Sequence, residues 1–326
     1  MRPRLRIGVM GCSGFARRTM VPALLRSQAG DLAAVASRSA EKASTWAREL
    51  GCPGLAGYDR LLEREDIDVV YLPLPAALNE EWAPKALAAG KHLLVEKSFA
   101  TRLEAARRIV EQARARNLLI RENFHFSGHS QWARLRSFMD SGEIGEVHLV
   151  RSTFGFPPLP RDNFRWQAEL GGGALLDAGA YVAKVSQLLL GAGLEIRGAA
   201  LQMDAETGVD RYGEAMFRNG RGQVAQVAFG FDYFYQCGVE LLGTRGKVSS
   251  GRVFTAKPED IPRLRIEIPG DSREERLPPD DAYANMWRNF AETVAGGDYR
   301  EEWDLLLDQA RLLEGVRQAA ARKGMA

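Results

Sequence analysis

Residues 5–10, Leu-Arg-Ile-Gly-Val-Met, form a short apolar run that stops at Gly11-Cys12-Ser13-Gly14-Phe15-Ala16, and residues 16–25 resume with helical spacing. Strand, tight turn, helix is the opening of a βαβ unit, and the pattern repeats. Apolar runs at 32–37, 67–72, 92–95 and 118–120 alternate with helical segments through Trp46 and Leu50, over 80–89 and over 103–116. Near-continuous apolar strands between helices belong in a parallel sheet covered on both faces. Right-handed crossovers then make residues 1–123 a doubly wound domain. Beyond about residue 124 the pattern changes. A helix over 130–141 leads to segments at 147–156, 199–203, 213–217, 224–231 and 238–242 that alternate apolar and polar residues. Such alternation predicts a mainly antiparallel sheet with one covered face. A helix over 175–190 is expected to cover it.

The expected fold class is therefore α/β: an N-terminal Rossmann-type sheet, then an α+β domain over 124–326 with a large open sheet. Helices at 281–295 and 302–321 close the chain and are candidates to pack back on the first domain. Residues 258–281, rich in Pro, Asp, Glu and Arg, read as the most loop-like stretch of the second domain. An open sheet leaves a face for another copy to cover, so a homodimer or homotetramer is expected.

Composition removes several function classes. A length of 326 residues suits two domains, and a formal charge of +2 gives no basic field for nucleic acid. No run of about 18 apolar residues exists to span a membrane. Residues 1–6 carry charge but no long apolar core, so they do not read as a secretory signal. Cys12, Cys52 and Cys237 show no CxxC spacing and read as reduced thiols, which points to the cytoplasm. His125 and His129 are four apart, but no acid or third ligand accompanies them, and no metal is expected.

The chemistry-bearing residues fall at the ends of the predicted strands. Gly11 permits the sharp turn after the first strand, Ala16 is small enough for close helix packing, and the helix N-terminus beyond offers N–H groups to a pyrophosphate. Ser13 replaces the middle glycine of the usual pattern, with Gly14 directly after it. At the end of the second strand stands Ser37-Arg38-Ser39, with no acid to hold ribose hydroxyls. A guanidinium and two hydroxyls suit a 2′-phosphate, so NADP is favoured over NAD; a plain surface arginine is the competing reading. Leu72 and Pro73 lie where the fourth strand leaves the sheet. Lys97 closes the run Leu93-Leu94-Val95-Glu96-Lys97, where it is expected to point into the ligand crevice; a solvated surface lysine is the competing reading. After Gly171-Gly172-Gly173, the residues Asp177, Tyr181 and Lys184 are spaced four and three apart on one helix face. A capping aspartate and a buried tyrosine would give the same spacing. Arg161, Arg165 and Trp166 would hold a diphosphate and stack on a base, or be surface arginines around a core tryptophan. Tyr235 lies in a pocket-like stretch at 233–237.

Residues 7–16, 68–75, Val95-Glu96-Lys97, Gly145-Glu146-Val147 and 171–181, in this order, resemble the glucose–fructose oxidoreductase, inositol dehydrogenase and MocA family over essentially the whole chain. That family pairs a Rossmann domain with an open-sheet domain and uses NAD or NADP, largely on sugars and cyclitols. Within it, residues 11–18 and the tyrosine at 181 look most like the sugar-nucleotide 3-ketoreductases of deoxysugar biosynthesis. The resemblance implies hydride transfer from the nicotinamide to a ketone on a nucleotide-linked hexose. It assigns proton delivery to Tyr181, polarisation of carbonyl and phenol to Lys97, and substrate orientation or tuning of that pair to Asp177. It implies cofactor contacts from Gly11, Cys12, Ser13, Gly14, Phe15, Ala16, Ser37, Arg38, Ser39, Leu72, Pro73, Leu74, Asn79, Glu96, Lys97 and Asn123. Substrate contacts are expected from Arg161, Arg165, Trp166, Lys184 and Tyr235.

Two positions depart from the family pattern. Its Glu-Lys-Pro is Glu96-Lys97-Ser98 here, so the stiff prolyl link after the lysine is missing, and a histidine often found after the fourth-strand prolines is Asn79. Two other readings stand beside the leading one: a dehydrogenase of a free sugar, cyclitol or dihydrodiol, and a non-catalytic cofactor-binding sensor. Retention of both Lys97 and Tyr181 argues against the sensor.

Overall fold

The first strand, β1 (Leu5–Met10), has its last four residues buried, as a strand covered on both faces must. A computed structural model describes residues 4–323; the termini of the expected domains and the reading of Met1-Arg2-Pro3 lie outside the described residues. After β1 the chain makes a π-turn over Ala16–Met20 and continues as α1 (Val21–Ser27). There follow β2 (Gly30–Ser37), α2 (Ala40–Leu50), β3 (Gly54–Ala56), α3 (Asp59–Leu62), β4 (Val69–Leu72), α4 (Ala76–Ala88), β5 (His92–Val95), α5 (Leu103–Arg116) and β6 (Ile120–Glu122). The six strands are all parallel, in the order β3-β2-β1-β4-β5-β6. The order reverses between β1 and β4, and a sheet of this kind binds ligands beyond the carboxyl ends of its strands at that switch point.

In the second unit α6 (Gln131–Asp140) precedes β7 (Val147–Gly155), and a π-turn over Leu175–Gly179 leads into α7 (Ala180–Leu190). The remaining strands are β8 (Glu195–Met203), β9 (Asp210–Arg218), β10 (Val224–Gly230), β11 (Gln236–Gly243), β12 (Lys247–Ser250), β13 (Arg263–Ile268) and β14 (Asp271–Arg276). They form one sheet in the order β14-β13-β12-β11-β7-β10-β9-β8, antiparallel except where β7 meets β10. Inward residues such as Ala215, Phe217, Val227 and Phe229 are buried, while Glu214, Met216 and Gln226 between them face out. The covering helix approaches closely: a Cβ on Gly179 would lie 3.2 Å from the Phe229 ring.

The helices α8 (Ala282–Gly296) and α9 (Arg300–Lys323) complete the chain. Among the described residues, one compact unit comprises residues 4–128 and 283–307, and the other residues 129–282 and 308–323. Specific bonds tie the returning segment to the first unit. Trp287 Nε1 donates to Met20 O (2.9 Å), Trp303 Nε1 donates to Leu118 O (3.1 Å), and Arg121 pairs with Glu302.

Two expectations need correction. Residues 258–281 are not the loop expected from their composition, because they hold the β13–β14 hairpin, turned at Gly270. β14 is a solvated edge strand of Asp, Ser, Arg and Glu, and charge on an edge, which blocks further strand pairing, looks like a loop in sequence. The fourth helix starts at Ala76 instead of residue 80, directly after Pro75.

Candidate active site

The first unit gathers its candidate residues at the carboxyl ends of β1, β2, β4, β5 and β6. Gly11 has φ +118°, and a Cβ there would lie 2.7 Å from Leu74 Cδ2. Glycine is thus required both by backbone conformation and by the approach of the loop after β4. Gly14 has an ordinary φ, and a Cβ on it would meet only the mobile end of Arg18. Ser13, the departure from the glycine pattern, caps the helix: its Oγ accepts from Ala16 N (3.1 Å). Ala16 is fully buried, and Phe15 packs against His125 and Tyr283. Burial pushes the Cys12 thiol up to about 11, with Ser37 pulling against it.

Past β2, Ser37 Oγ accepts from Ser39 N (3.2 Å), and Ser39 Oγ accepts from Lys42 N (3.3 Å) as the N-cap of α2. Both hydroxyls therefore shape the turn that presents Arg38. Arg38 is exposed and rests beside Tyr58, whose phenol is pushed up by burial and partly pulled back by that guanidinium.

The turn after β5 is held from all sides. Glu96 N donates to Leu72 O (3.0 Å). Tyr71 Oη and Asn123 Nδ2 both donate to Glu96 Oε1, each at 2.6 Å. Asn79, fully buried, points its Nδ2 at Glu96 O and Ser98 O (3.4 and 3.5 Å). Phe99 N donates to Glu122 Oε1 (2.8 Å), and Thr101 donates to Glu80 Oε1 through both N and Oγ1. Lys97 stands half-buried in this frame, and the Lys97–Ser98 peptide is cis. Asn79 and Asn123, expected to contact cofactor, are placed with their amides on the Lys97 turn.

In the second unit Gly173 has φ +107°, and a Cβ there would overlap Asp210 Oδ1. Asp210 needs that room, because its Oδ2 accepts from Leu175 N (2.5 Å) and so starts the helix that carries Tyr181. Asp177 accepts from Arg165 Nε at 2.6 Å. Burial works against the Arg165 charge, and Asp177 and Tyr181 beside it hold the guanidinium charged. Tyr181 is 8% exposed and framed by two rings, Phe154 at 4.9 Å and Phe254 at 5.5 Å between centroids. Lys184 is half-buried one turn further along α7. Tyr235 Oη meets Thr255 Oγ1 (2.5 Å). Trp166 is core: its Nε1 donates to Leu159 O, and Arg161 lies over its ring at 4.3 Å while pairing with Asp204 at 3.0 Å. His125 and His129, the spaced pair, stack on Tyr283 and accept from Gln131 N respectively.

Residues 5–124 match the model of an oxidoreductase family with an NAD-binding Rossmann fold, GFO/IDH/MocA, and residues 132–249 match the GFO/IDH/MocA C-terminal domain. The chain belongs to the Gfo/Idh/MocA oxidoreductase family. Among relatives of this Gfo/Idh/MocA member, a dTDP-3,4-didehydro-2,6-dideoxy-alpha-D-glucose 3-reductase of Streptomyces violaceoruber is 43% identical, covering 97% of this chain and 95% of its own. An enzyme of the same description from Saccharopolyspora spinosa is 40% identical, covering 98% of both. A solved 3-ketoreductase from Actinomadura kijaniata, in complex with NADP and TDP-benzene, superposes with a TM-score of 0.94 at 38% identity, covering 97% of this chain and 98% of that one.

Several supporting residues of the Gfo/Idh/MocA chain carry no sequence signal of their own. Tyr71 reads as one more buried residue of β4, Glu80 and Glu122 as a helix and a strand acid, and Phe254 as core. Asp210 likewise reads as one more polar residue of the alternating strand β9.

Proposed function

We propose that this chain is an NADPH-dependent reductase of the 3-keto group of a dTDP-linked deoxyhexose. The observation that carries the reading is its likeness, along nearly its whole length, to 3-reductases of such a sugar. The residues present suit the cofactor: a glycine cradle that a Cβ would fill, a capped helix N-terminus behind it, and an exposed arginine past β2 for a 2′-phosphate. Bound there, the nicotinamide supplies the hydride.

Tyr181 is assigned as proton donor to the oxygen that gains negative charge. Its phenol sits between two aromatic walls with the Arg165 guanidinium nearby, a setting of low local dielectric in which a positive neighbour favours phenolate and so proton release. Arg165 in turn fixes Asp177, whose carboxylate is assigned to orient the substrate. Lys97 is assigned as the cation that polarises the carbonyl, held by the six-sided frame around its turn. Positioned acid catalysis of this kind contributes about 10²–10⁴-fold.

The open face of the second sheet, with Tyr212 and Met216 exposed, is assigned to contact with another copy of the chain. Light scattering of the purified protein tests this: a dimer or tetramer is expected, and Met216→Arg should dissociate it. Among the described residues no helix is long and apolar enough to cross a membrane, and the three free thiols suit the cytoplasm.

NADPH oxidation with a dTDP-linked 3-ketosugar tests the main reading. Turnover should fall about 10²-fold or more in both Tyr181→Phe and Lys97→Ala. Absence of turnover with any nucleotide-linked 3-ketosugar, beside rapid oxidation of a free polyol, would overturn it.

A further inference from the structure

The turn that carries Lys97 is anchored by a residue no motif points to. Tyr71 is fully buried in β4, and its hydroxyl reaches 25 residues along the chain to Glu96 Oε1. Asn123, just past β6, grips the same oxygen and fixes its own backbone by donating from N to Val95 O (2.7 Å). Both donors act on one carboxylate oxygen, so the plane and depth of the carboxylate beside Lys97 are set from two neighbouring strands. The phenol is itself located by Trp287 of α8, whose ring meets Tyr71 edge-on at 5.7 Å and whose Nε1 donates to Met20 O. Met20 ends the π-turn that follows the Gly11–Ala16 cradle. A continuous line of contacts thus runs from the cofactor helix through Trp287 and Tyr71 to Glu96, the residue before Lys97.

We propose that Tyr71 is a positioning residue for reduction: with Asn123 it holds the Glu96 carboxylate in place beside Lys97. The inference rests on the role proposed above for Lys97. Among the described residues, the groups around Glu96 are Tyr71 from β4, Asn79 from α4, Lys97 at its side, and Glu122 and Asn123 from the end of β6. Glu122 is committed to Phe99 N. Burial pushes the Glu96 carboxyl up, and the bonds from Tyr71 and Asn123 and the Lys97 charge offset only part of that rise. Removing the phenol hydroxyl takes away one of those opposing bonds. Glu96 then takes up a proton at higher pH, and Lys97 loses its fixed counter-charge.

The test compares wild type, Tyr71→Phe, Asn123→Ala, Glu96→Gln, the Glu96→Gln/Tyr71→Phe double variant and Lys97→Ala. In Tyr71→Phe, kcat near neutral pH should fall roughly ten-fold with NADPH affinity unchanged, and the acid limb of the kcat–pH profile should move up by about one unit, the worth of one hydrogen bond to a charged group. The Glu96 carboxyl ¹³C resonance, assigned by its loss in Glu96→Gln, should titrate at correspondingly higher pH. Asn123→Ala should move both readouts the same way, and supplies them if Tyr71→Phe does not fold. In the Glu96→Gln background Tyr71→Phe should have no further effect. Unmoved profile and resonance in Tyr71→Phe and Asn123→Ala would overturn the inference, as would an equal loss in the Glu96→Gln background. Full activity in Lys97→Ala would overturn the reading beneath it; an inactive Lys97→Ala beside a wild-type Tyr71→Phe would sink the role of Tyr71 alone.

Discussion

Replacing Arg38 by alanine should separate the two nicotinamide cofactors. The side chain is exposed at the end of β2 and presented by a turn whose serine hydroxyls accept from Ser39 N and Lys42 N. A 2′-phosphate carries about −1.5 to −2 charges near neutral pH. At about 4 Å, one unit pair is worth about 1 kcal/mol in bulk water and about 4 kcal/mol at the effective dielectric of a protein surface. An exposed but bidentate guanidinium–phosphate contact falls between, at about 1.5–3 kcal/mol. NADPH affinity should therefore weaken roughly 10- to 150-fold in Arg38→Ala. NADH lacks the phosphate, and its affinity should change less than about two-fold, within ordinary surface-mutation effects. Fluorescence titration of both reduced cofactors measures the pair directly. The NADPH effect should also shrink as salt rises, because exposed charges are screened. A parallel loss for NADPH and NADH would refute the reasoning, since it would make Arg38 a support of the fold or of the adenosine and not a phosphate ligand.

Other outcomes follow from the same geometry. Gly11→Ala forces φ +118° on a residue with a side chain and drives its methyl into Leu74; it should cost about 2–4 kcal/mol, and Gly11→Ala/Leu74→Ala should recover only the packing share in thermal melts. Arg165→Met leaves Asp177 without its 2.6 Å partner beside Tyr181; kcat should fall about ten-fold or more and the alkaline limb of its pH profile should move up, because a positive neighbour of the phenol is gone. His92 and His129 accept backbone N–H bonds at Nδ1, from Leu119 and Gln131, and burial pushes both imidazoles below their ordinary value. The unfolded chain then binds protons below about pH 6.5 that the folded chain refuses, so stability is complete above that pH and declines as pH falls; His92→Gln/His129→Gln should flatten the decline in melting temperature between pH 7.5 and 5.

The first unit was legible because a strand buried on both faces has to be apolar at nearly every position. β1, β2, β4 and β5 were therefore found, and α5 over Leu103–Arg116 was placed to the residue by its periodicity. What escaped were elements whose burial is one-sided or absent. β12 is four residues long with alternate side chains half-buried, and β14 is almost wholly exposed. Such strands are specified by the ladder they join, and the ladder partner lies elsewhere in the chain. The return of α8 and the start of α9 to the first unit could be offered only as a candidate for a related reason: the bonds that recruit them, Trp287 to Met20 and Trp303 to Leu118, span 267 and 185 residues.

The candidate site divides along the same line. Residues whose task is conformational, such as Gly11 and Gly173, announce it through their type. Residues whose task is electrostatic do not, because a charge acquires its role from the countercharge that finds it. Arg161, Arg165 and Arg38 look alike in sequence as phosphate ligands. In the structure Arg165 is spent on Asp177, and Arg161 on an Asp204 whose other oxygen is bound by Thr207. A diphosphate approaching Arg161 must compete with that carboxylate at 3.0 Å, whereas a phosphate approaching Arg38 meets a guanidinium resting on a phenol. The same residue type thus offers an anion very different returns at the three positions. Of the three arginines, Arg38 offers an approaching phosphate the least competition.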